Sequence, residues 1–312
     1  MNDTLISLEE RAGTDVKGID SLDSLITKAG FDFEVEKAQL YSPEGGEVNN
    51  MFMLRRKDTK VPLNVVRGRY QLVHNREMLE PFDNMVNEYG ATYENAGIVG
   101  GGRVCWVSAK LDNDIVARAD DKVEQRIIAL VYHDGTRRNS YFQYTRRIFC
   151  NNQLRSMEEE GRKGYTVGHT ASWENQLQAA RLGFDKAIGG AKRFGEQVQG
   201  LANNRMSDNQ AECFLQHMYP FTKESSDRQV TRANNVRENV LGLFSEGAGN
   251  VGESRWDMLN AVTEYYDHHR KQRSTRSFIN EMTGMGADRH KQNALGMLLD
   301  SGTFRAIDPK RN

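Results

Sequence analysis

No apolar run longer than six residues occurs in this chain; the longest, Ile127–Tyr132, falls far short of the roughly 20 a membrane-crossing helix needs. No membrane span is expected. Met1–Arg11 is polar and lacks the basic-then-apolar layout of a signal peptide, which predicts a cytoplasmic protein. Cysteine is scarce. Cys105, Cys150 and Cys213 are odd in number and widely spaced, which suits reduced thiols and provides neither a disulfide framework nor zinc-ligand spacing. A nucleophilic thiol stays open, but nothing nearby in sequence marks one as a thiolate. Strong charge of either sign is also missing, since 42 basic and 43 acidic residues leave a net charge of −1.

That near-neutrality hides an asymmetry. Residues 1–50 carry eleven acidic and four basic side chains, a balance of −7, so the remainder stands at +6. At 312 residues the chain can bury one large core or two smaller ones. Its most distinctive stretch is Gln125–Arg155. There six arginines (Arg126, Arg137, Arg138, Arg146, Arg147 and Arg155) face one acidic residue, Asp134, with Tyr132, Tyr141, Phe142, Tyr144 and Phe149 interleaved. Phosphates need positive charge and unstacked bases need flat apolar surfaces, so this mixture is what a groove for single-stranded nucleic acid requires. An ordinary amphipathic hairpin, with aromatics in a core and arginines in solvent, has the same composition.

Periodicity places the elements. A short amphipathic piece around Leu22, Leu25 and Ile26 lies in what reads as a loosely attached acidic arm. Leu79, Phe82, Met85, Val86 and Tyr89 follow helical spacing after Asn75, a plausible cap, although Pro81 predicts a bend or a later start. Strands are expected over Thr92–Val99, Arg103–Leu111, Gln125–His133 and Tyr141–Cys150, the last two joined by an Asp134-Gly135 turn. Period-two reading puts Arg126 on the face of Ile128, Leu130 and Tyr132. Arg146 shares a face with Phe142, Tyr144 and Ile148, and Arg147 lies opposite with Tyr141 and Phe149.

Helical character takes over after Tyr165. From Trp173 to Leu201 apolar residues recur at four-three spacing, which predicts one long helix roughly 40 Å in length at about 1.5 Å per residue, able to bend at Gly189-Gly190. Its partner is either a second helix of the same chain or another subunit. Ser207 with Gln210 forms a capping box for a helix stopped by Pro220; further helices are expected from about Asp227 to Phe244, from Arg255 and near Arg289. The result is an α+β fold, an antiparallel β-meander with a flanking helix followed by a mostly helical C-terminal half. Three regions are expected: an acidic N-terminal arm (1–48), an α+β core with the basic hairpin (49–165) and a helical region (166–312).

Two motifs point elsewhere. Gly247, Gly249 and Gly252 spell G-x-G-x-x-G, but a helix rather than a strand precedes them, and a dinucleotide fingerprint needs the strand. The N–H groups of the following helix could still meet a phosphate. Asp267-His268-His269, with Glu264 one turn away, looks like the metal signature of a phosphoesterase. The aspartates at strand ends that such a site needs are missing, and a solvated basic helix end explains the same residues.

Three stretches together resemble a known family. Gly68-Arg69-Tyr70-Gln71-Leu72-Val73-His74-Asn75-Arg76-Glu77, Arg147-Ile148-Phe149-Cys150-Asn151-Asn152 and Trp256 through His268 are similar to the phage/plasmid-like protein family, whose common domain has no assigned function; the likeness spans about Met51 to Leu299. The resemblance implies a mobile-element setting, and the host cytoplasm if the gene is phage-borne. Helix, meander, helix is similar in topology to the core of ring-forming single-strand annealing proteins. Together these readings predict a protein that binds single-stranded DNA or RNA in recombination or replication, with strand annealing as its possible task, self-association, and no cofactor or metal. Arg126, Arg137, Arg138, Tyr141, Tyr144, Arg146, Arg147 and Arg155 would form the site. The alternatives are a structural or host-interaction protein, and a metal-dependent nuclease using Glu264, Asp267 and His268.

Overall fold

The computed structural model describes residues 13–119, 121–147, 153–155, 165–189, 191–270, 287–300 and 302, with backbone alone for 153–155, 183–189 and 191–193. Elements run β1 (Thr14–Asp15), α1 (Leu22–Ala29), β2 (Val35–Tyr41), β3 (Glu47–Arg56), β4 (Pro62–Arg67), α2 (Asn75–Glu88), β5 (Thr92–Val99) and β6 (Val104–Lys110). They continue through β7 (Ile115–Arg118), β8 (Asp121–Tyr132), β9 (Asn139–Arg147), β10 (Gln153–Arg155) and β11 (Tyr165–Val167). The helical half is α3 (Trp173–Gly189), α4 (Ala191–Asn203), α5 (Asp208–Met218), α6 (Asp227–Glu246), α7 (Arg255–Glu264) with a π-helical turn (Tyr265–His269), and α8 (Ala287–Leu299). The fold is α+β.

A large antiparallel sheet follows the order β1-β5-β6-β8-β9-β10, with β7 also on β8 and β11 also on β9; β2-β3-β4 form a second sheet. The expected meander is therefore present, and its faces fall as alternation predicts. Arg126 pairs with Tyr144 and Ile128 with Phe142, so these residues share one face, while Ala129 pairs with Tyr141 on the other. Ile148, Phe149 and Cys150 lie outside the described residues. Both faces are covered. On one, Met78, Leu79, Phe82 and Met85 of α2 pack on Cys105, Val107, Ile127, Ala129 and Tyr141. On the other, Trp106, Ile128, Leu130, Tyr132, Phe142 and Tyr144 form a second buried cluster. Gly13 lies so close to the Trp106 ring that a Cβ there would stand 2.6 Å away.

Residues 13–48 are woven into the protein rather than hung from it as an arm. Val16, Leu25, Ile26, Phe31, Phe33 and Val35 are buried in the α2-side core, which their apolar character drives. Their acidic neighbours are used locally: Glu34 pairs with Lys57 at 3.0 Å, and Glu36 with Arg55 at 2.8 Å and Lys60 at 3.0 Å. Residues 1–12 lie outside the described residues. Helix α1 starts at Ser21 and ends at Gly30, whose φ of 70° lets the chain reverse and the Phe31 N–H reach the Ile26 carbonyl at 2.8 Å.

Helix α2 begins at Asn75 and carries Pro81 inside it; the Glu77 carboxylate accepts from the His74 N–H at 2.7 Å and fixes the start. The four-three seam divides at the glycine pair into α3 and α4. Trp173, Leu177 and Ala180 join the sheet core, whereas Phe194, Val198 and Leu201 join the helical core. Its partners among the described residues are thus a sheet and a helical cluster of the same chain. The Ser207–Gln210 capping box is present, with the Gln210 N–H donating to Ser207 Oγ at 3.4 Å.

At one end of the Trp106 face the apolar cluster gives way to a network of charges. Glu124 accepts from Arg126 at 2.9 Å, Arg146 at 2.9 Å and Lys110 at 3.2 Å, and Glu94 accepts from Arg126 at 3.1 Å. Burial alone would raise the Glu124 carboxyl, but Arg126, Arg146 and Lys110 overcome it and hold it near about 2. The folded value lies below the ordinary 4.5, so this stabilisation is complete above about 4.5 and is lost as pH falls toward about 2. Glu124→Gln should lower stability at neutral pH by about 3 kcal/mol, because it leaves buried guanidiniums short of a counter-charge. Urea unfolding across that acid window should show the native protein weakening more steeply than the variant.

Candidate nucleic-acid interface

The sequence places eight residues in a binding groove, and the structure divides them. Arg126 is fully buried between Glu94 and Glu124, and Arg146 is about nine-tenths buried against Glu124. Tyr141 is buried, stacked on Phe82 at 6.2 Å with its hydroxyl donating to the Met78 carbonyl at 2.5 Å. Tyr144 lies within the Trp106 cluster. These four belong to the interior and cannot meet a strand. Arg155 pairs in register with Tyr144 through β10, where the backbone alone is described. Of the candidates whose side chains are described, only the turn residues Arg137, half-buried, and Arg138, exposed, reach the surface.

Arg147 does something else. Its Nε and Nη2 donate to the two oxygens of Asp121 at 2.7 and 2.6 Å, while Nη1 and Nη2 reach the carbonyls of Ala248 and Gly249 at 3.1 and 2.7 Å and Asn250 Oδ1 at 2.8 Å. Trp256 Nε1 donates to the same Asp121 at 2.8 Å, and Asp257 takes a two-pronged contact from Arg118. The G-x-G-x-x-G loop therefore turns carbonyl oxygens toward arginines of the sheet, while its Ala248 N–H donates to Glu264. It joins sheet to helices. Arg147→Lys keeps the charge but loses the planar fork and should cost about 3 kcal/mol. Trp256→Phe, which removes one bond to a charged acceptor, should cost about 2 kcal/mol. Denaturant titration measures both, and neither change should alter oligonucleotide affinity in the folded protein.

The surface site is built around the exposed turn. Between β4, the segment after it and the 168–171 loop lies an open groove of about 800 Å³, lined by Arg67, Arg69, Tyr70, Gln71, Gly135 and His169 among others. Gly135, at φ 65°, rests on Val66 and Tyr70, and Asn64 Nδ2 donates to the Asp134 carbonyl at 2.6 Å, so the turn is pinned to β4. Tyr70 and His169 stack with centroids 4.5 Å apart and planes 16° from parallel. Gln71 and His169 exchange two bonds at 3.1 Å, the second donated by the imidazole Nδ1–H. Gln176 braces the loop: its Oε1 accepts from Arg138 and from the Gly168 N–H at 2.9 Å, and its Nε2 donates to Thr170 at 2.9 Å.

Charge in this groove comes from arginine alone. Burial lowers His169 despite its backbone hydrogen bond to Gln71, so the ring is neutral at physiological pH and serves as a flat surface. Burial, with Asp134 nearby, pushes the Tyr70 hydroxyl up, so it stays protonated. Arg67 and Arg69 are exposed, and Arg138 lies against Gly168. Two segments thus supply the charge: Arg67 and Arg69 line the groove with the stacked aromatic pair, and Arg138 of the turn adjoins it at Gly168. Arg67, Arg69, Tyr70 and His169 are absent from the sequence-derived site. For Arg69 and Tyr70 the signal was the Gly68–Glu77 stretch, conspicuous as a motif but silent about which distant loop it meets; Arg67 and His169 lie outside it.

The nuclease residues are engaged otherwise. Glu264 accepts from the Ala248 N–H at 3.1 Å, and Asp267 is buried against the Lys291 ammonium. His269 approaches Glu264 at 3.5 Å. Among the described residues no group of three or more His, Cys, Asp or Glu could hold a metal ion. Cys105 is buried, which pushes its thiol up and away from thiolate chemistry.

No helix among the described residues is long and apolar enough to cross a membrane. No curated protein and no solved structure matches the chain. Residues 62–285, well over half of it, match the family described as a domain of unknown function (DUF932). That span holds the groove, the Arg147 junction and both outer resemblance stretches, Gly68–Glu77 and Trp256–His268, and the chain belongs to this family.

Proposed function

We propose that this protein binds single-stranded nucleic acid in the groove between β4, the β8–β9 turn and the 168–171 loop, and that it serves recombination or replication of a mobile element. The observation that supports this most is the placing of Arg67 and Arg69 in one groove with the Tyr70–His169 stack, with Arg138 against the adjoining Gly168. Guanidiniums would hold phosphates and the aromatic pair would offer a face to an unstacked base. A duplex hides its base faces, so a strand gains more from this groove than a duplex does. Two strands held near one positive surface also repel each other less, which is the physical requirement for annealing. The phage/plasmid resemblance supplies the setting.

Fluorescence anisotropy with labelled oligonucleotides tests the reading. Log affinity should fall linearly with log salt, with single strands bound more tightly than duplex. Replacing Arg137 and Arg138 together by Ala should flatten the slope by roughly 1.4, at about 0.7 for each phosphate no longer neutralised. Replacing Arg67 and Arg69 should do about the same. Unchanged slopes in both double variants would remove this groove as the binding surface.

Annealing in a ring also requires self-association. The seam residues whose side chains are described, Trp173, Leu177, Ala180, Phe194, Val198 and Leu201, pack within the chain. Light scattering over a concentration series, with and without oligonucleotide, should show a species larger than the 35.5 kDa monomer. A monomer throughout would exclude a ring while leaving strand binding intact.

A further inference from the structure

Several arginines of the described structure are matched by acid, the buried ones above all. Arg55, Arg56, Arg76, Arg118, Arg126, Arg146 and Arg147 all have carboxylate partners. Arg232 and Arg270, like Arg67 and Arg69 of the groove, have none among the described residues, and they line one cavity of their own.

This cavity, of about 350 Å³, lies in the helical half, where the end of α5, one face of α6, the π-helical turn and α8 converge. Tyr266 and His290 stack in its wall with centroids 4.9 Å apart and planes 8° from parallel. Tyr219 lies 6.2 Å from His290, and Tyr265 meets Tyr266 edge-on at 5.3 Å. The Arg270 guanidinium sits 5.6 Å from the Tyr266 ring centre. Arg237 steadies the wall by donating to the Tyr219 carbonyl at 2.6 Å.

The π turn is what brings Tyr265, Tyr266 and Arg270 to the cavity. Its closing bond runs from the Arg270 N–H to the Tyr265 carbonyl at 2.8 Å, after which the chain becomes extended. Such turns give up regular helical hydrogen bonding and are frequent at functional sites. The potential here is positive: burial lowers His290, and Arg270, Arg289 and Arg232 lower it further. Burial also keeps the Tyr219 hydroxyl protonated and able to donate. A simple anion would need the arginines but neither the volume nor the aromatic wall. A neutral aromatic ligand would leave the unmatched charge unexplained.

We propose that this cavity binds a nucleoside phosphate, its base against the Tyr266–His290 wall and its phosphate held by Arg232 and Arg270, either free or as one unit of a strand. The site is separate from the β4 groove and does not depend on it. Titration calorimetry on the full chain uses ATP, dAMP and a short oligo(dA) as probes. Saturable binding is expected, weakened by at least about tenfold in an Arg232→Ala, Arg270→Ala double variant, as the removal of charge-assisted hydrogen bonds requires. Both residues are exposed, so folding should be unaffected.

A variant lacking Arg67, Arg69, Arg137 and Arg138 should bind ATP or dAMP as the native protein does, which separates this cavity from the groove. In that variant, oligo(dA) binding that depends on Arg232 and Arg270 would identify a strand unit as the ligand; mononucleotide binding alone would identify a free nucleotide. No saturable binding of any probe to the groove-deficient variant, or equal affinity with and without Arg232 and Arg270, would overturn the proposal.

Discussion

The fork of Arg147 on Asp121 is the contact on which the arrangement of the two halves depends. It spends one guanidinium on a carboxylate of the sheet and, at the same time, on the carbonyls of the Ala248–Gly249 loop that leads into α7. Trp256 closes the arrangement from the helical side through the same Asp121. Arg147 and Asp121 are out of water, so their donors and acceptors must be matched by others. The groove is built on the sheet and the loop at 168–171, and the cavity on the helical half.

A second constraint shapes the surface. The large sheet is covered on both faces, so its β8–β9 hairpin cannot present arginines along its length. Each one in the body of the hairpin needs a buried counter-charge: Glu94 and Glu124 for Arg126, Glu124 for Arg146, Asp121 for Arg147. At the turn, Arg137 is half-buried and Arg138 exposed. Positive charge that could meet a ligand is therefore pushed to Arg137 and Arg138, where β4 adds Arg67 and the following segment Arg69.

Much of the fold was legible from local rules. Strand β5 runs over Thr92–Val99 as alternation predicts, the Ser207 capping box opens α5, and the faces of Arg126, Arg146 and Arg147 are as read. Which faces solvent reaches was not legible, because period-two alternation separates two faces without saying whether either is covered. The charge imbalance that singled out the hairpin also depended on where the window began. Glu124 precedes Gln125 by one residue and Asp121 by four, and these two acids neutralise the buried arginines. The groove was hidden for a different reason: Arg67, Gly135 and His169 meet only through tertiary packing. Of the two readings of Pro81, a later helix start is overturned: α2 runs from Asn75 with Pro81 inside it, and Phe82 and Met85 are packed in the core.

The account stands or falls on where a strand touches the protein. Ultraviolet crosslinking of a bromodeoxyuridine oligonucleotide, followed by peptide mapping, reads this directly because stacked aromatic rings are the favoured partners. Crosslinks are expected at Tyr70 and within residues 168–171, and they should disappear at high salt as the arginine–phosphate attraction is screened. Crosslinks confined to the β2–β3 strands or to surfaces remote from the β8–β9 turn, with none in these two segments, would contradict it.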